Sequence, residues 1–306
     1  MQPDLINLIR GFCMGAADIV PGVSGGTVAL IMGHYDRLVT AISRVDGRLL
    51  ALLRQGLWPQ AARHLDLRFL VGLGSGILTG IVVLAGAMHW LLEHRLPQTL
   101  AVFLGLVLAS VWVVRGNVSH WGPSRWIALL GGTGVALAIA MLPATQGGDG
   151  YLYLFLSASI AICAMILPGI SGAFILLLLG MYHPVTGLIR DLSHLQIGVT
   201  GLLQLVVFAS GCLFGLLAFS RLLRWLLANR HDMTMAALIG LMLGSVLRLW
   251  PLQMPTTQTA ALEFKLRVYE LVSPAQWSGS LWPIVLLALA GAGAVLLLER
   301  IATRMT

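Results

Sequence analysis

A helix-breaking stretch, Asp18-Ile19-Val20-Pro21-Gly22-Val23-Ser24-Gly25-Gly26-Thr27, lies inside an apolar run, and a second copy, Met165-Ile166-Leu167-Pro168-Gly169-Ile170-Ser171-Gly172-Ala173-Phe174, interrupts another. Proline lacks an amide donor and adjacent glycines allow sharp turns, so each copy interrupts its helix and frees backbone groups. Inside a hydrocarbon layer those groups need protein or a polar cavity around them, since lipid offers no partner. Two such breaks in corresponding places of one chain point to the binding site of a transporter.

The chain has 306 residues, 58% of them hydrophobic and 10% charged, with several apolar runs of membrane-spanning length. This is the composition of a polytopic membrane protein. Lysine and arginine outnumber aspartate and glutamate by 19 to 12, but they fall between the apolar runs rather than in a domain of their own. They read as topological determinants and not as a nucleic-acid surface. Cys13, Cys163 and Cys212 sit singly in apolar segments, as small core residues do. The beginning, MQPDLINLIRGF, lacks the charged and small-residue features of a removable signal peptide, so no cleavage is expected.

The two motifs align without a gap at an offset of 147, pairing Pro21 with Pro168, Gly22 with Gly169, Ser24 with Ser171, Gly25 with Gly172, Gly33 with Gly180 and Tyr35 with Tyr182. Farther along, an offset of 135 pairs Gly76 with Gly211, Gly80 with Gly215, Trp90 with Trp225, Gly105 with Gly240 and Ser110 with Ser245. The expected fold is therefore all-α, with two inverted repeats, each a re-entrant broken-helix hairpin plus three transmembrane helices. Repeat one covers 1–145, with a hairpin at 5–34, an interfacial segment at 36–66 and spans near 68–92, 97–115 and 125–142. Repeat two covers 146–306, with a hairpin at 151–182 and spans near 199–226, 233–250 and 281–299.

Basic residues arbitrate between inverted and parallel halves. With re-entrant hairpins, fourteen share the side of both termini: Arg10, the six arginines from Arg37 to Arg68, Arg115, Arg125, Arg221, Arg224, Arg230, Arg300 and Arg304. Five, Arg95, Arg190, Arg248, Lys265 and Arg267, lie opposite. If the broken segments span, the split weakens to twelve against seven. Re-entrant hairpins and cytoplasmic termini follow. Trp90, Trp112, Trp126, Trp225, Trp250 and Trp282 fall near span ends, where amphipathic rings favour the headgroup zone. The mixture of leucine and arginine at 36–66 reads equally as an amphipathic helix lying on the lipid surface or as a basic loop.

After each Pro-Gly the helix is expected to restart, at Ser24 and at Ser171, turning amides and the positive end of a half-helix toward the break. Hydroxyls at Ser24 and Thr27, with Gly25 and Gly26 permitting close approach, suit phosphate oxygens. The competing reading is that the glycines only let two hairpins pack, with Ser24 and Ser171 capping their own helices. Asp18, an acid inside an apolar run whose counterpart is Met165, is either a proton-coupling carboxylate or an acceptor for freed amides. His89 and Glu93 share a helix face next to Arg95, either at a ligand's point of access or at an ordinary solvated helix end. Arg115, Arg221 and Arg224, near the cytoplasmic boundary, can pair with a phosphate or anchor at the interface. Gly22-Val23-Ser24-Gly25 also fits the surroundings of an intramembrane serine-protease nucleophile, but no histidine lies well inside a run to activate it. No phosphate loop for ATP and no metal-ligand spacing is present in the sequence, so neither cofactor nor metal is expected.

Ala17-Asp18-Ile19-Val20-Pro21-Gly22-Val23-Ser24-Gly25-Gly26-Thr27, Gly33-His34-Tyr35-Asp36-Arg37, Leu167-Pro168-Gly169-Ile170-Ser171-Gly172 and Leu179-Gly180-Met181-Tyr182 together closely resemble a bacterial family of polyprenyl-phosphate, chiefly undecaprenyl-phosphate, translocases. Ala173 departs from that pattern, where a small polar residue is expected. The resemblance covers nearly the whole chain and implies recycling of the lipid carrier of cell-wall synthesis, a flippase moving the phosphate head from outer to inner leaflet. The head would sit between the breaks, cradled by Pro21, Gly22, Ser24, Gly25, Gly26, Thr27, Pro168, Gly169, Ser171 and Gly172, while the prenyl tail stays in lipid. Protons or sodium would supply coupling. Two other functions remain open on the residues themselves, transport of a small soluble anion and intramembrane serine hydrolysis.

Overall fold

The computed structural model describes residues 3–19, 24–143, 145–194, 196–256 and 269–304, without the side chains of Pro3, Ser193, Leu298 and 301–304. Pro21, Gly22, Lys265 and Arg267 lie outside the described residues. In order the chain forms α1 (Pro3–Asp18), α2 (Gly25–Ile31), α3 (Tyr35–Ser43), α4 (Gly47–Arg54), α5 (Trp58–Leu65), α6 (Leu67–His94), α7 (Leu96–Val114), a 3-10 turn (Arg115–Asn117) and α8 (Pro123–Met141). It continues through α9 (Tyr151–Ile166), α10 (Gly172–Leu178), α11 (Tyr182–Ser193), α12 (Val199–Asn229), α13 (His231–Ser245), the antiparallel pair β1 (Gln253–Pro255) and β2 (Tyr269–Leu271), and α14 (Trp282–Arg304).

Four of these helices are long and apolar enough to cross a membrane: α6, α7 with its 3-10 turn, α8 and α12. A fifth candidate is α10 with α11, bent by 115° at its break. Val82 is 79% exposed and Val199 87%. Large apolar side chains left on the outer faces of long helices, where a soluble protein would keep polar ones, fit a lipid surround. This is a multi-pass, mainly helical membrane protein.

The helices meet in four close pairs, α1 with α6, α9 with α12, α8 with α13 and α7 with α14. Small residues make each approach possible, as is usual where lipid replaces water and van der Waals contact must drive association. A Cβ at Gly76 would stand 2.2 Å from the Leu8 carbonyl oxygen, and one at Gly211 2.4 Å from that of Phe155. Gly80 faces the Phe12 carbonyl and Gly215 that of Ser159 in the same way. In the other two pairs Gly105 abuts the Ala288 carbonyl and Gly240 that of Leu129, while Gly291 meets Val102 and Gly132 meets Ala237. Each of these glycine contacts in one half thus has its counterpart in the other. The last two pairs also each join a helix from before residue 145 to one from after it.

Residue numbers rise together along α1 and α6, from Asp4 beside Arg68 through Leu8 beside Gly76 to Phe12 beside Gly80, so these helices run parallel. The same is true of α9 and α12, from Phe155 beside Gly211 to Ser159 beside Gly215. After α2 the chain returns along α1: the Arg10 guanidinium donates to the Met32 carbonyl at 3.4 Å, and His34 Nε2 lies 3.3 Å from the Met14 sulfur. After α10 it returns along α9, where the Tyr153 hydroxyl donates to the Leu179 carbonyl at 2.9 Å. Both returns turn on a left-handed glycine, Gly33 at φ +68 and Gly180 at φ +67, which a side chain would strain.

The segment from 36 to 66 is not one amphipathic helix but three short ones, α3 to α5. Asp46 accepts the Leu49 amide at 2.9 Å and starts α4 afresh, and Gly56 at φ +67 separates α4 from α5. The expected span at 233–250 is helical only to Ser245, after which turns lead to Pro251. Of the six tryptophans near span ends, Trp90, Trp112, Trp126, Trp225 and Trp282 are more than half exposed. Trp250 instead packs inward and donates its indole N–H to the Val272 carbonyl.

Candidate functional site

The two breaks touch. The Ser24 hydroxyl donates to the Met165 carbonyl at 3.2 Å, the Tyr35 hydroxyl to the Ile166 carbonyl at 3.1 Å, and the Gly169 amide to Thr27 Oγ1 at 2.9 Å. A Cβ at Gly26 would lie 2.5 Å from the Ile166 carbonyl oxygen, so only glycine lets α2 come this close to the end of α9. The seam satisfies carbonyls that α9 frees as it ends and a donor at Gly169, which stands at φ +85.

On the first side of the seam the half-helix α2 is closed. Asp18 accepts the Gly25 amide at 2.6 Å, the Ser24 side chain accepts the Gly26 amide at 3.1 Å, and the Ser24 carbonyl accepts the Thr27 amide at 2.9 Å. Ser24 and Thr27 are each 1% exposed. The open cradle expected at Ser24, Gly25, Gly26 and Thr27 is therefore filled by the protein's own groups, because a carboxylate seven residues back and a neighbouring carbonyl reach them first. Ser24 lies buried in that seam, with its hydroxyl committed on both sides.

The second side is open. Ser171 precedes α10 without a side-chain capping bond, and Met165, at the place of Asp18, packs its apolar side chain against Gly172. Pro168, Gly169 and Gly172 are buried, and Gly169 and the half-buried Ser171 line a cavity of about 680 Å³, within the usual size of a ligand pocket. Its walls are mainly apolar, from the end of α6, the start of α7, the end of α8 and α10, with β1 and β2 on one side. Arg248 is the one charged side chain among its described lining residues. That guanidinium stacks on the Phe174 ring at 4.0 Å and donates to the Ala140 carbonyl at 2.6 Å. From sequence, Arg248 is only one of five positive charges on the external side.

The arginines singled out from sequence are engaged elsewhere. Arg221 donates to the Val45 carbonyl and Arg224 to the Ser43 hydroxyl at 3.2 Å, fastening α12 to the end of α3. Arg115 stacks over Trp112 at 3.2 Å. His89 and Glu93 are 3.7 Å apart on the outer face of α6. No group of three or more histidine, cysteine, aspartate or glutamate side chains among the described residues is placed to hold a metal.

Residues 14–264 match the family described as undecaprenyl phosphate translocase-like. A polyprenyl-phosphate transporter of Vibrio cholerae is 43% identical over 249 residues, 81% of this chain and 78% of that protein. One of Staphylococcus aureus is 29% identical over 263 residues, 80% of this chain and 86% of that protein. No solved structure matches the chain.

Proposed function

The chain belongs to the undecaprenyl phosphate translocase-like family, and from that premise we propose that it is a flippase for undecaprenyl phosphate or a related polyprenyl phosphate. It returns the phosphate head from the outer to the inner leaflet of the bacterial cytoplasmic membrane, while the prenyl tail remains in lipid. Carrying a charged head through hydrocarbon unaided is prohibitive, whereas the tail needs no protein route.

The observation that carries this reading is the seam itself, two helix breaks joined through Ser24 with Met165 and Thr27 with Gly169. In our reading the halves are inverted. Short connections at Arg95 and Arg230 make α7 and α13 reverse the directions of α6 and α12. Leu129 faces Gly240 and Thr133 faces Gly244, so α8 and α13 run the same way. Hence α6 and α12 cross in opposite senses, and the hairpin that accompanies each is re-entrant from its own face. Both termini then lie on the arginine-rich side, which the positive-inside rule makes cytoplasmic. Rocking one half against the other exposes the region of the seam to each leaflet in turn.

In this reading the second side of the seam is the one facing the arginine-poor side. Its cavity has exposed apolar rim residues, with Met141 71% and Leu142 55% exposed, which favours a lipid over a small soluble anion. The test is reconstitution into vesicles with labelled undecaprenyl phosphate, following the accessibility of its head with and without a pH or sodium gradient. Protein-dependent translocation is expected. Vesicles in which the head stays in its original leaflet, with folded protein present, would refute the proposal.

A further inference from the structure

We propose that Arg248 is the residue that holds the phosphate of the incoming lipid, in the cavity bounded by Phe174, Ser171 and the end of α8; this rests on the polyprenyl-phosphate reading above. Arg37 pairs with Asp66, Arg68 with Asp4, and Arg125 lies 3.9 Å from Asp232. None of the ion pairs among the described residues involves Arg248. Its recorded side-chain contacts are one neutral carbonyl, that of Ala140, and the face of Phe174. A guanidinium has five N–H donors in a planar fork suited to phosphate oxygens, and a carbonyl bond and a ring contact leave its charge uncompensated. Arg248 is itself exposed on the open side of the cavity, where an anionic head can reach it.

The surroundings specify which anion. Leu96, Leu100, Ile139 and Leu177 line the same space, and the exposed Met141 and Leu142 give it an apolar rim through which a chain can leave. Phe174 and the Ala140 carbonyl fix the guanidinium in place, and Ser171 adds a hydroxyl not used in capping α10. The combination fits a phosphate monoester on an apolar chain. The repeat offset places Val113 where the second half has Arg248, and Thr27 where it has Phe174, so the site belongs to one face of the transporter.

The test compares the purified full-length wild type, R248Q and R248K by native mass spectrometry, with undecaprenyl phosphate and the uncharged alcohol undecaprenol as paired ligands. Glutamine removes the charge while keeping a polar amide, and lysine keeps the charge without the planar fork; the Tm of each variant checks that it is folded. The wild type is expected to prefer the phosphate. R248Q is expected to lose about ten- to a hundred-fold of that preference, the range for a charge-assisted hydrogen bond, with alcohol binding unchanged and R248K intermediate. Inorganic phosphate at the same concentration is expected not to displace the lipid, and displacement by it would overturn the assignment to a lipid head. If the wild type does not discriminate between the two lipids, the polyprenyl-phosphate reading fails. If it does and folded R248Q discriminates equally well, the role of Arg248 is overturned.

Discussion

Thr27 and Gly169, 142 residues apart in sequence, are joined by a buried 2.9 Å hydrogen bond from the glycine amide to the threonine hydroxyl oxygen. This bond and its neighbour from Ser24 to the Met165 carbonyl tie one interrupted helix to the other. T27V keeps the shape of the side chain but leaves the Gly169 donor without its acceptor, and T27S keeps the acceptor. T27V is expected to lose about 1–3 kcal/mol of stability, seen as a lower Tm in detergent, and T27S much less.

The helix pairs depend on carbonyls lying where a methyl group would go. G105A would place a Cβ 1.8 Å from the Ala288 carbonyl oxygen and G240A one 2.1 Å from that of Leu129, whereas nothing lies within 4 Å at Gly74 or Gly131. The first two substitutions are expected to destabilise by about 1–3 kcal/mol through overpacking. G74A and G131A, on open helix surface, are expected to match or slightly exceed the wild type in thermal unfolding.

Asp18 separates a structural from a coupling role. D18A strips the Gly25 amide of its acceptor and is expected to cost about 1–3 kcal/mol in unfolding assays. D18N can still accept that bond but cannot ionise. If the carboxylate couples transport to protons, D18N folds normally and its transport in vesicles no longer responds to a pH gradient; an unchanged response removes Asp18 from coupling.

The α4 cap carries a pH signature outside the membrane. The Leu49 amide, and His64 beside it, hold the Asp46 carboxyl below the ordinary value of 3.8. A depressed carboxyl contributes stability above its unfolded value that is lost as pH falls through its folded one. D46A is therefore expected to lower stability by about 1 kcal/mol at neutral pH, with the gap to wild type closing below pH 3.8 in acid titrations of Tm.

Sequence made the helical membrane class legible, because apolar runs and paired Pro-Gly breaks leave few alternatives, and the glycine matches recur as contacts in space. It did not show what closes the first break. The partners there are backbone carbonyls of Met165 and Ile166, which carry no residue-type signature. Arg248 was hidden for a similar reason, since its cavity gathers residues from α6, α7, α8 and α10 that are far apart in the chain. The only hint was its position three residues after Ser245, the match of Ser110. Arg221 and Arg224 stood out by charge and position, yet their donors go to Val45 and Ser43.

The central claim is that the two interrupted helices enter from opposite faces and meet. In a protein with Cys13, Cys163 and Cys212 replaced, single cysteines at Asp36, after the first return, and at His183, after the second, can be treated with a membrane-impermeant maleimide in intact cells. The account predicts labelling at 183 from outside and at 36 only after the membrane is opened. Labelling of both positions from the same side would contradict it.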